Sequence, residues 1–303
     1  MPLAPKDFVA DRESMERAWG REESLGYTRW LATSHYENFH VVSFLLPKHL
    51  HPDFYNVYSY CRWADDLGDE IGDAAESLRL LAWWDDETRA MYENRATHPV
   101  LVALGETVRR HGIPSEPFHH LIRAFVQDQT VTRYRTLDQL HDYCVYSANP
   151  VGRLVLHLCG YRDGERQRLS DFTCTALQLA NHWQDVSVDL DKDRIYLPLD
   201  VLERHGSGED DVTARRCTPG FAAAMRELVS HARTLFAQGL PLPRMVDRRL
   251  ALDLELFSRG GRKILDKIEA RGYDVLAGRP SISKPERLGL LLSAAMSVVT
   301  RAA

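Results

Sequence analysis

The sequence predicts an all-α protein, and three observations support this fold class. Apolar residues recur every three or four positions in seven stretches, which is the period of an amphipathic helix. No stretch alternates strictly between apolar and polar residues over the length of a half-buried strand. Residues that break helices lie between the periodic stretches. The periodic stretches are 53–64, 77–92, 117–126, 137–160, 169–188, 221–237 and 248–268.

Glycine- and proline-containing breaks separate these stretches into roughly ten helices. We predict one domain over residues 1–303, with residues 1–30 as an N-terminal extension. Residues 203–219 are the most polar break, and we predict a surface loop there rather than a domain boundary. The breaks are "THP" (97–99), "HGIPSEP" (111–117), "GYRDGE" (160–165), "HGSGEDD" (205–211) and "LPLPR" (240–244).

Composition and charge exclude several classes of protein. The formal net charge of −5 provides no basic face, so nucleic acid is not an expected partner. Five cysteines without a CxxC pair indicate a reducing compartment. The N-terminus has no apolar secretory core, which favours a cytoplasmic location. The apolar stretch 288–300 would span about 20 Å as a helix, shorter than the roughly 30 Å hydrocarbon core. Contact with the inner face of the membrane remains an alternative there.

One acidic cluster follows an aromatic stretch in "YSYCRWADDLGDE" (58–70). Asp65 and Asp69 are four residues apart, so a helix places both carboxylates on one face, and Asp66 can join its edge. Two carboxylates this close repel and raise each other's pKa unless a cation lies between them. Aromatic residues before the acids are of the kind that lines a hydrocarbon cavity. The stretch therefore predicts a cation site beside an apolar cavity.

A second acidic cluster repeats the spacing in "ANHWQDVSVDLDKDRIYLP" (180–198). Asn181, Asp185 and Asp189 form an i, i+4, i+8 stripe of oxygen ligands. A solvated acidic helix face would explain a single such pair. It explains two pairs poorly, because each follows an apolar helix and buried acids are costly unless paired or metal-bound. Mg²⁺ prefers hard oxygen ligands and commonly bridges carboxylates to substrate phosphates. We therefore expect Mg²⁺ and a diphosphate substrate.

Four blocks of the chain resemble the squalene/phytoene synthase family in order and spacing, from about Ser34 to Ala295. The resemblance implies an all-α type I isoprenoid synthase bundle with a central active-site cavity, facing aspartate motifs and three Mg²⁺ ions. It also implies chemistry on prenyl diphosphates. The blocks are "NFHVVSFLLPKHLHPDFYNVYSYCRWADDLGDE", "HDYCVYSANPVGRLVLHLCG", "QLANHWQDVSVDLDKDRIYLP" and "GGRKILDKIEARGYDVLAGRPSISKPERLGLLLSA".

The resemblance also implies roles for single residues. The metal ligands would be Asp65, Asp69, Asn181, Asp185 and Asp189. The catalytic residues would be Arg62, which contacts the diphosphate, Tyr143, which handles the carbocation, and Gln178. The substrate-binding residues would be His35, Phe39, Arg62, Ala148, Gly152, Arg194 and Tyr196.

Within the family, "SHYENF", "SANPVG" and "NHWQDV" most resemble the bacterial hopanoid-pathway branch known as HpnC. That branch is implied to convert presqualene diphosphate and water to hydroxysqualene and diphosphate. The implied pathway partners make presqualene diphosphate and reduce hydroxysqualene. Alternatives are a presqualene diphosphate synthase, a full squalene or phytoene synthase that joins two prenyl diphosphates, and a non-catalytic helical scaffold.

Two positions depart from the wider family pattern. Gln184 stands where members that bind two diphosphates commonly have arginine, which weakens the case for a second diphosphate. Gly261 aligns with a pocket tyrosine of carotenoid-type relatives. Glycine inside a helix costs about 1 kcal/mol relative to alanine. This cost indicates either the close approach of a neighbour or space for substrate or water.

Overall fold

A computed structural model describes residues 2–34 and 47–300, with side chains up to residue 297. Regular structure in these ranges is helical apart from an isolated bridge between Arg133 and Ile195, which confirms the predicted all-α class. The α-helices are α1 (Pro5–Ala10), α2 (Arg12–Glu16), α3 (Arg21–Ser34), α4 (His51–Asp69), α5 (Ala74–Tyr92), α6 (Pro99–His111), α7 (Glu116–Asp128), α8 (Leu137–Ser147), α9 (Asn149–Leu158), α10 (Gly164–Gln184), α11 (Val186–Asp189), α12 (Leu199–Arg204), α13 (Glu209–Thr213), α14 (Pro219–Gly239), α15 (Arg248–Ala270) and α16 (Lys284–Thr300).

The chain divides into two compact units, each built from two segments. The first unit contains Met1–Thr130 and Pro150–Asp163, and the second contains Val131–Asn149 and Gly164–Ala303. The sequence predicted a single domain over the whole chain, and that remains a prediction.

The first unit has an aromatic core around α4. Trp63 lies at its centre, stacked on Trp84 with ring centroids 5.1 Å apart. Phe8 of α1 meets Trp63 edge to face at 5.1 Å, and Tyr27 of α3 accepts a hydrogen bond from the Trp63 indole. Phe8 and Tyr27 are both buried. The N-terminal segment predicted as an extension thus contributes side chains to this core, because its aromatic residues cover the central tryptophan.

The second unit is organised around α10, which packs against α14 and α15. Gly261 of α15 is required by this packing. A Cβ atom there would lie 2.5 Å from the Phe236 ring of α14 and 2.8 Å from Leu177 of α10. Of the two explanations that the sequence left open for Gly261, the structure supports close approach by neighbouring helices.

The prediction of a loop over residues 203–219 is wrong in part. The segment includes the end of α12 and all of α13. Val212 of α13 is fully buried, which ties the short helix to the unit's interior. Asp211 accepts hydrogen bonds from Ser207 and Arg216 and so fixes the segment on both sides. The sequence did not predict this helix because the glycine and acidic residues of the segment are typical of loops. Acidic residues also stabilise the first turn of a helix.

In the described part of the chain, no helix combines the length and the apolar composition needed to cross a membrane. The apolar end of the sequence forms α16, whose inner face packs on α15.

Candidate active site

The first acidic motif lies on the C-terminal half of α4 in the first unit. The 3.6-residue period places Arg62, Asp65 and Asp69 on the face opposite Tyr60 and Trp63. Tyr60 and Trp63 are fully buried, Asp65 is half-buried, and Asp69 is exposed. The helix therefore buries Tyr60 and Trp63 in the core and carries Asp65 and Asp69 together on the opposite face. Their position on one face is what the four-residue spacing predicted.

Tyr60 and Trp63 pack in the core of the first unit rather than line a cavity, which corrects our expectation for these two aromatic residues. The Tyr60 hydroxyl lies 3.1 Å from the Thr88 hydroxyl and 3.2 Å from the Phe118 carbonyl oxygen, to which it donates. Large aromatic side chains bury more area in a core than any others, and these two fill the centre of the first unit. Their position orients α4 and thereby its acidic face.

Arg62 links the acids of this motif. Its Nη1 lies 3.4 Å from Asp65 Oδ2, and its Nη2 lies 2.5 Å from Asp66 Oδ1. Burial raises the pKa of Asp66, and the Arg62 charge opposes that increase. The Nε of Arg62 is buried and has no hydrogen-bond acceptor among the described residues. A buried donor without an acceptor is unusual in proteins, and it fits an anionic ligand at this position.

The second acidic motif begins at the end of α10 in the second unit. The helix ends at Gln184 and the short helix α11 begins at Val186, yet the stripe of ligands is continuous across the break. The Asp185 amide donates to the Asn181 carbonyl at 2.9 Å, and the Asp189 amide donates to the Asp185 carbonyl at 2.8 Å. These i to i+4 bonds hold the three residues one turn apart, as predicted.

The charges of this motif repel one another. Burial raises the pKa of Asp189 to about 7, and the Asp185 charge adds to the increase, while Arg194, Lys192 and Arg279 oppose it. Arg279 also forms an ion pair with Asp185 through its Nε and Nη2 atoms. A divalent cation would relieve the same repulsion. Sequence reasoning assigned no role to Arg279, although it lies in the last block of the resemblance.

Aromatic rings form a buried cluster beside this motif in the second unit. Tyr143 and Tyr196, both predicted site residues, lie with ring centroids 5.8 Å apart. His182 stacks on Tyr196 at 3.9 Å, and Tyr134 completes the cluster. Burial lowers the pKa of His182 to about 3, so the ring is neutral near pH 7. Sequence reasoning missed His182 and Tyr134 as members of the cluster.

Gln178 lies one helical turn before His182. Its side-chain nitrogen is 3.2 Å from His182 Nε2, which connects this predicted catalytic residue to the aromatic cluster. Helical spacing could have revealed the contact, because Gln178 and His182 are four residues apart.

The remaining predicted residues fall into three groups. Ala148 is buried at the end of α8 in the second unit, whereas Gly152 lies half-buried on α9 in the first. The backbone nitrogen of Arg194 donates to the Asp189 carbonyl at 3.0 Å, which keeps Arg194 beside the second motif. His35 and Phe39 lie outside the described residues.

The oxygen donors at each motif are too few to enclose a metal ion, but they suit Mg²⁺, which also binds water and substrate phosphate. No group of three His, Cys, Asp or Glu side chains within residues 2–34 and 47–297 could hold a metal ion. Each motif offers carboxylate oxygens, and the second adds the Asn181 amide. Mg²⁺ is commonly bound by one or two carboxylates together with water and substrate phosphate, so this incomplete oxygen set fits it.

A family model described as squalene/phytoene synthase matches residues 32–286 of the chain. The chain belongs to this family. The match includes the predicted metal ligands of both motifs, the aromatic cluster and Arg279. It confirms the family resemblance that the four sequence blocks carried.

Three relatives show how broad the family is. A crystal structure of squalene synthase HpnC from Alicyclobacillus acidocaldarius superposes with a TM-score of 0.80 and 46% identity, over 83% of this chain and 95% of that one. A phytoene synthase of Thermus thermophilus is 36% identical over 85% of this chain and 88% of its own length. A hydroxysqualene synthase of Zymomonas mobilis is 31% identical over 86% and 87%. The chain is thus an all-α synthase of a family with at least two reaction outcomes.

Proposed function

We propose that the protein converts presqualene diphosphate and water to hydroxysqualene and diphosphate. The observation that carries this choice is Gln184, which stands where relatives that bind two diphosphates commonly have arginine. Its neutral amide is buried and donates to the Pro280 carbonyl at 2.6 Å, so this position offers no cation to a second diphosphate. The similarity to HpnC supports the same choice.

Mg²⁺ would be held by Asp65 and Asp69 of the first motif and by Asn181, Asp185 and Asp189 of the second. When bound, Mg²⁺ neutralises the charge that develops on a departing diphosphate. Arg62 would donate its Nε–H to a diphosphate oxygen beside the first motif, because a guanidinium donates well-directed hydrogen bonds to phosphate oxygen. The departing diphosphate would take both electrons of the C–O bond and leave a cyclopropylcarbinyl cation. Rearrangement of that cation would give the 1,1′-linked allylic carbocation.

The aromatic cluster would stabilise and protect that carbocation. The ring faces of Tyr143 and Tyr196 attract positive charge, and their burial excludes bulk water. A neutral His182 adds no competing charge to the cluster. One water molecule would add its oxygen to the cation and pass its proton to the released diphosphate, and Tyr143 is our candidate to orient that water. Hydroxysqualene and diphosphate are then the products.

The reaction is tested with purified protein and Mg²⁺, without any reductant. Presqualene diphosphate should give hydroxysqualene, and farnesyl diphosphate should give no C30 product, as judged by mass spectrometry of extracted lipids. Formation of presqualene diphosphate from farnesyl diphosphate would instead show that this protein is a presqualene diphosphate synthase.

A second candidate is a full synthase that joins two prenyl diphosphates. The observation in its favour is the 36% identity to a phytoene synthase over 85% of the chain. A hydrocarbon product from a prenyl diphosphate in the same assay would establish it. A non-catalytic scaffold is the least supported alternative, since it would have no reason to hold Asp185 and Asp189 together against their repulsion.

We further propose that α16 contacts the surface of an anionic bilayer. Leu288, Leu291, Leu292 and Met296 are exposed along one side of this helix, and Lys284 and Arg287 share that side. Glu286, the only acid among the described side chains of α16, faces Lys263 and Lys267 of α15 instead. The exposed side is therefore apolar and cationic on a chain of net charge −5. This combination suits anionic lipid, and the expected product is itself water-insoluble.

If α16 contacts an anionic bilayer, the protein should co-sediment with phosphatidylglycerol vesicles and only weakly with phosphatidylcholine vesicles. Replacing both Leu288 and Leu292 by serine should weaken vesicle binding roughly tenfold, since leucine insertion drives it. Leu240→Ser is the matched control, because Leu240 is also exposed but lies on α14's C-terminal side. Concentration-dependent dimerisation that the double substitution removes, without any vesicle binding, would show that a second copy covers this face.

A further inference from the structure

Two consecutive residues at the end of α10 contact two consecutive residues of the segment between α15 and α16. The side-chain amide of Gln184 donates to the Pro280 carbonyl, and the Asp185 carboxylate pairs with the Arg279 guanidinium. Ninety-four residues separate Asp185 from Arg279 along the chain. Together, the two contacts fix the backbone next to Arg279 and the position of its guanidinium group.

The segment that carries Arg279 has other supports. Asp274 accepts hydrogen bonds from the Leu276 and Ala277 amides, which shapes the start of the segment. Gly278 has a φ of +149°, a conformation that side chains rarely adopt. Between these supports and α16, the hydrogen bond of 2.6 Å from Gln184 holds the backbone at Pro280. Because Gln184 is buried, water competes poorly for this bond.

Arg279 engages both carboxylate oxygens of Asp185. Its Nε bonds to Oδ1, and its Nη2 donates to Oδ2 at 3.2 Å. Mg²⁺ held by Asp185 would need carboxylate oxygen that Arg279 contacts here, and its charge would repel the guanidinium. We propose that Arg279 competes with Mg²⁺ for Asp185, and that Gln184 sets the strength of this competition by holding Pro280. The inference rests on the metal role proposed for Asp185.

The competition predicts the direction and the size of the change in Mg²⁺ affinity when Arg279 is replaced. Removing Arg279 should tighten Mg²⁺ binding, whereas loss of an ordinary cation far from the motif should not. The Arg279 side chain is 54% exposed and that of Asp185 is 25% exposed, so solvent screens the pair. Partly exposed ion pairs contribute little, which gives an expected increase in affinity of roughly twofold to fivefold.

The test is a titration of the full chain with Mg²⁺ alone, measured by isothermal calorimetry. Arg279→Gln should bind Mg²⁺ roughly twofold to fivefold more tightly than the wild type. Arg279→Lys should lie between them, because lysine keeps the charge but loses the two-point contact. Arg233→Gln is the matched control, since it removes one charge from an ion-paired arginine elsewhere in the second unit. Its Mg²⁺ affinity should equal that of the wild type.

A double-mutant cycle tests the part assigned to Gln184. Gln184→Met keeps the side-chain length but cannot donate to Pro280, so it should tighten Mg²⁺ binding in the wild-type background. In the Arg279→Gln background the same substitution should change nothing, because the competing charge is already gone. A purely structural effect of Gln184 would persist in both backgrounds and overturn this assignment.

Unchanged or weaker Mg²⁺ binding in Arg279→Gln overturns the competition. The same holds if no variant binds Mg²⁺ in the titration. Neither result bears on whether presqualene diphosphate is converted, which the product assay measures separately. A protein that makes hydroxysqualene but shows no affinity change would retain the proposed function and lose this inference.

Discussion

Replacing Asp185 with alanine should lower kcat/KM by at least about 1,000-fold, because the substitution removes the central oxygen ligand that we propose for the second motif. Asp185 lies one turn from both Asn181 and Asp189, so its loss leaves the other two without a ligand between them. The measurement is hydroxysqualene formation from presqualene diphosphate at saturating Mg²⁺. A kcat/KM close to that of the wild type would refute the metal role of Asp185.

The same substitution should leave the fold intact, which separates loss of a ligand from loss of structure. Removing the Asp185 charge relieves repulsion on Asp189, so we expect the thermal midpoint of Asp185→Ala to equal or exceed that of the wild type. Asp191→Ala is the matched control. Asp191 is an exposed acid two residues beyond the motif and pairs with Arg215. Its activity should stay within about twofold of the wild type, as for other exposed ion pairs.

Helical periodicity predicted the parts of the site that depend on local geometry. The spacing of Asp65 and Asp69 was enough to place both on one face of α4, because side-chain direction repeats with the helix. The stripe of Asn181, Asp185 and Asp189 was also predicted, even though the helix is interrupted at Asp185. The stripe continues across the interruption because the backbone amides of Asp185 and Asp189 still donate hydrogen bonds to the carbonyls four residues earlier.

Contacts between distant parts of the chain could not be predicted in this way. No local pattern connects Arg279 to Asp185, because the segment between α15 and α16 returns to α10 only after folding. The core position of Trp63 was likewise hidden, since an aromatic residue beside acids suits a cavity wall as well as a core. Phe8 and His98, which lie against Trp63 in the structure, come from distant sequence.

Arg62 is the residue for which structural and catalytic roles most need to be separated, and two substitutions do so. Arg62→Met should lower kcat/KM about 100-fold, since it removes the donors that we propose for the diphosphate. It should also lower the free energy of unfolding by about 1–3 kcal/mol, because it leaves the buried Asp66 carboxylate without its cation. Both effects are measured on one preparation, by product formation and by urea unfolding.

Adding Asp66→Asn to Arg62→Met should restore most of the lost stability, because a neutral amide avoids an unpaired buried charge. Activity should stay about 100-fold low, since the introduced amide would provide no cation for the substrate. Recovery of both stability and turnover in the double variant would show that Arg62 acts only by neutralising Asp66. Recovery of stability alone would place Arg62 on the diphosphate, which is the role that its buried, unpaired Nε–H indicates.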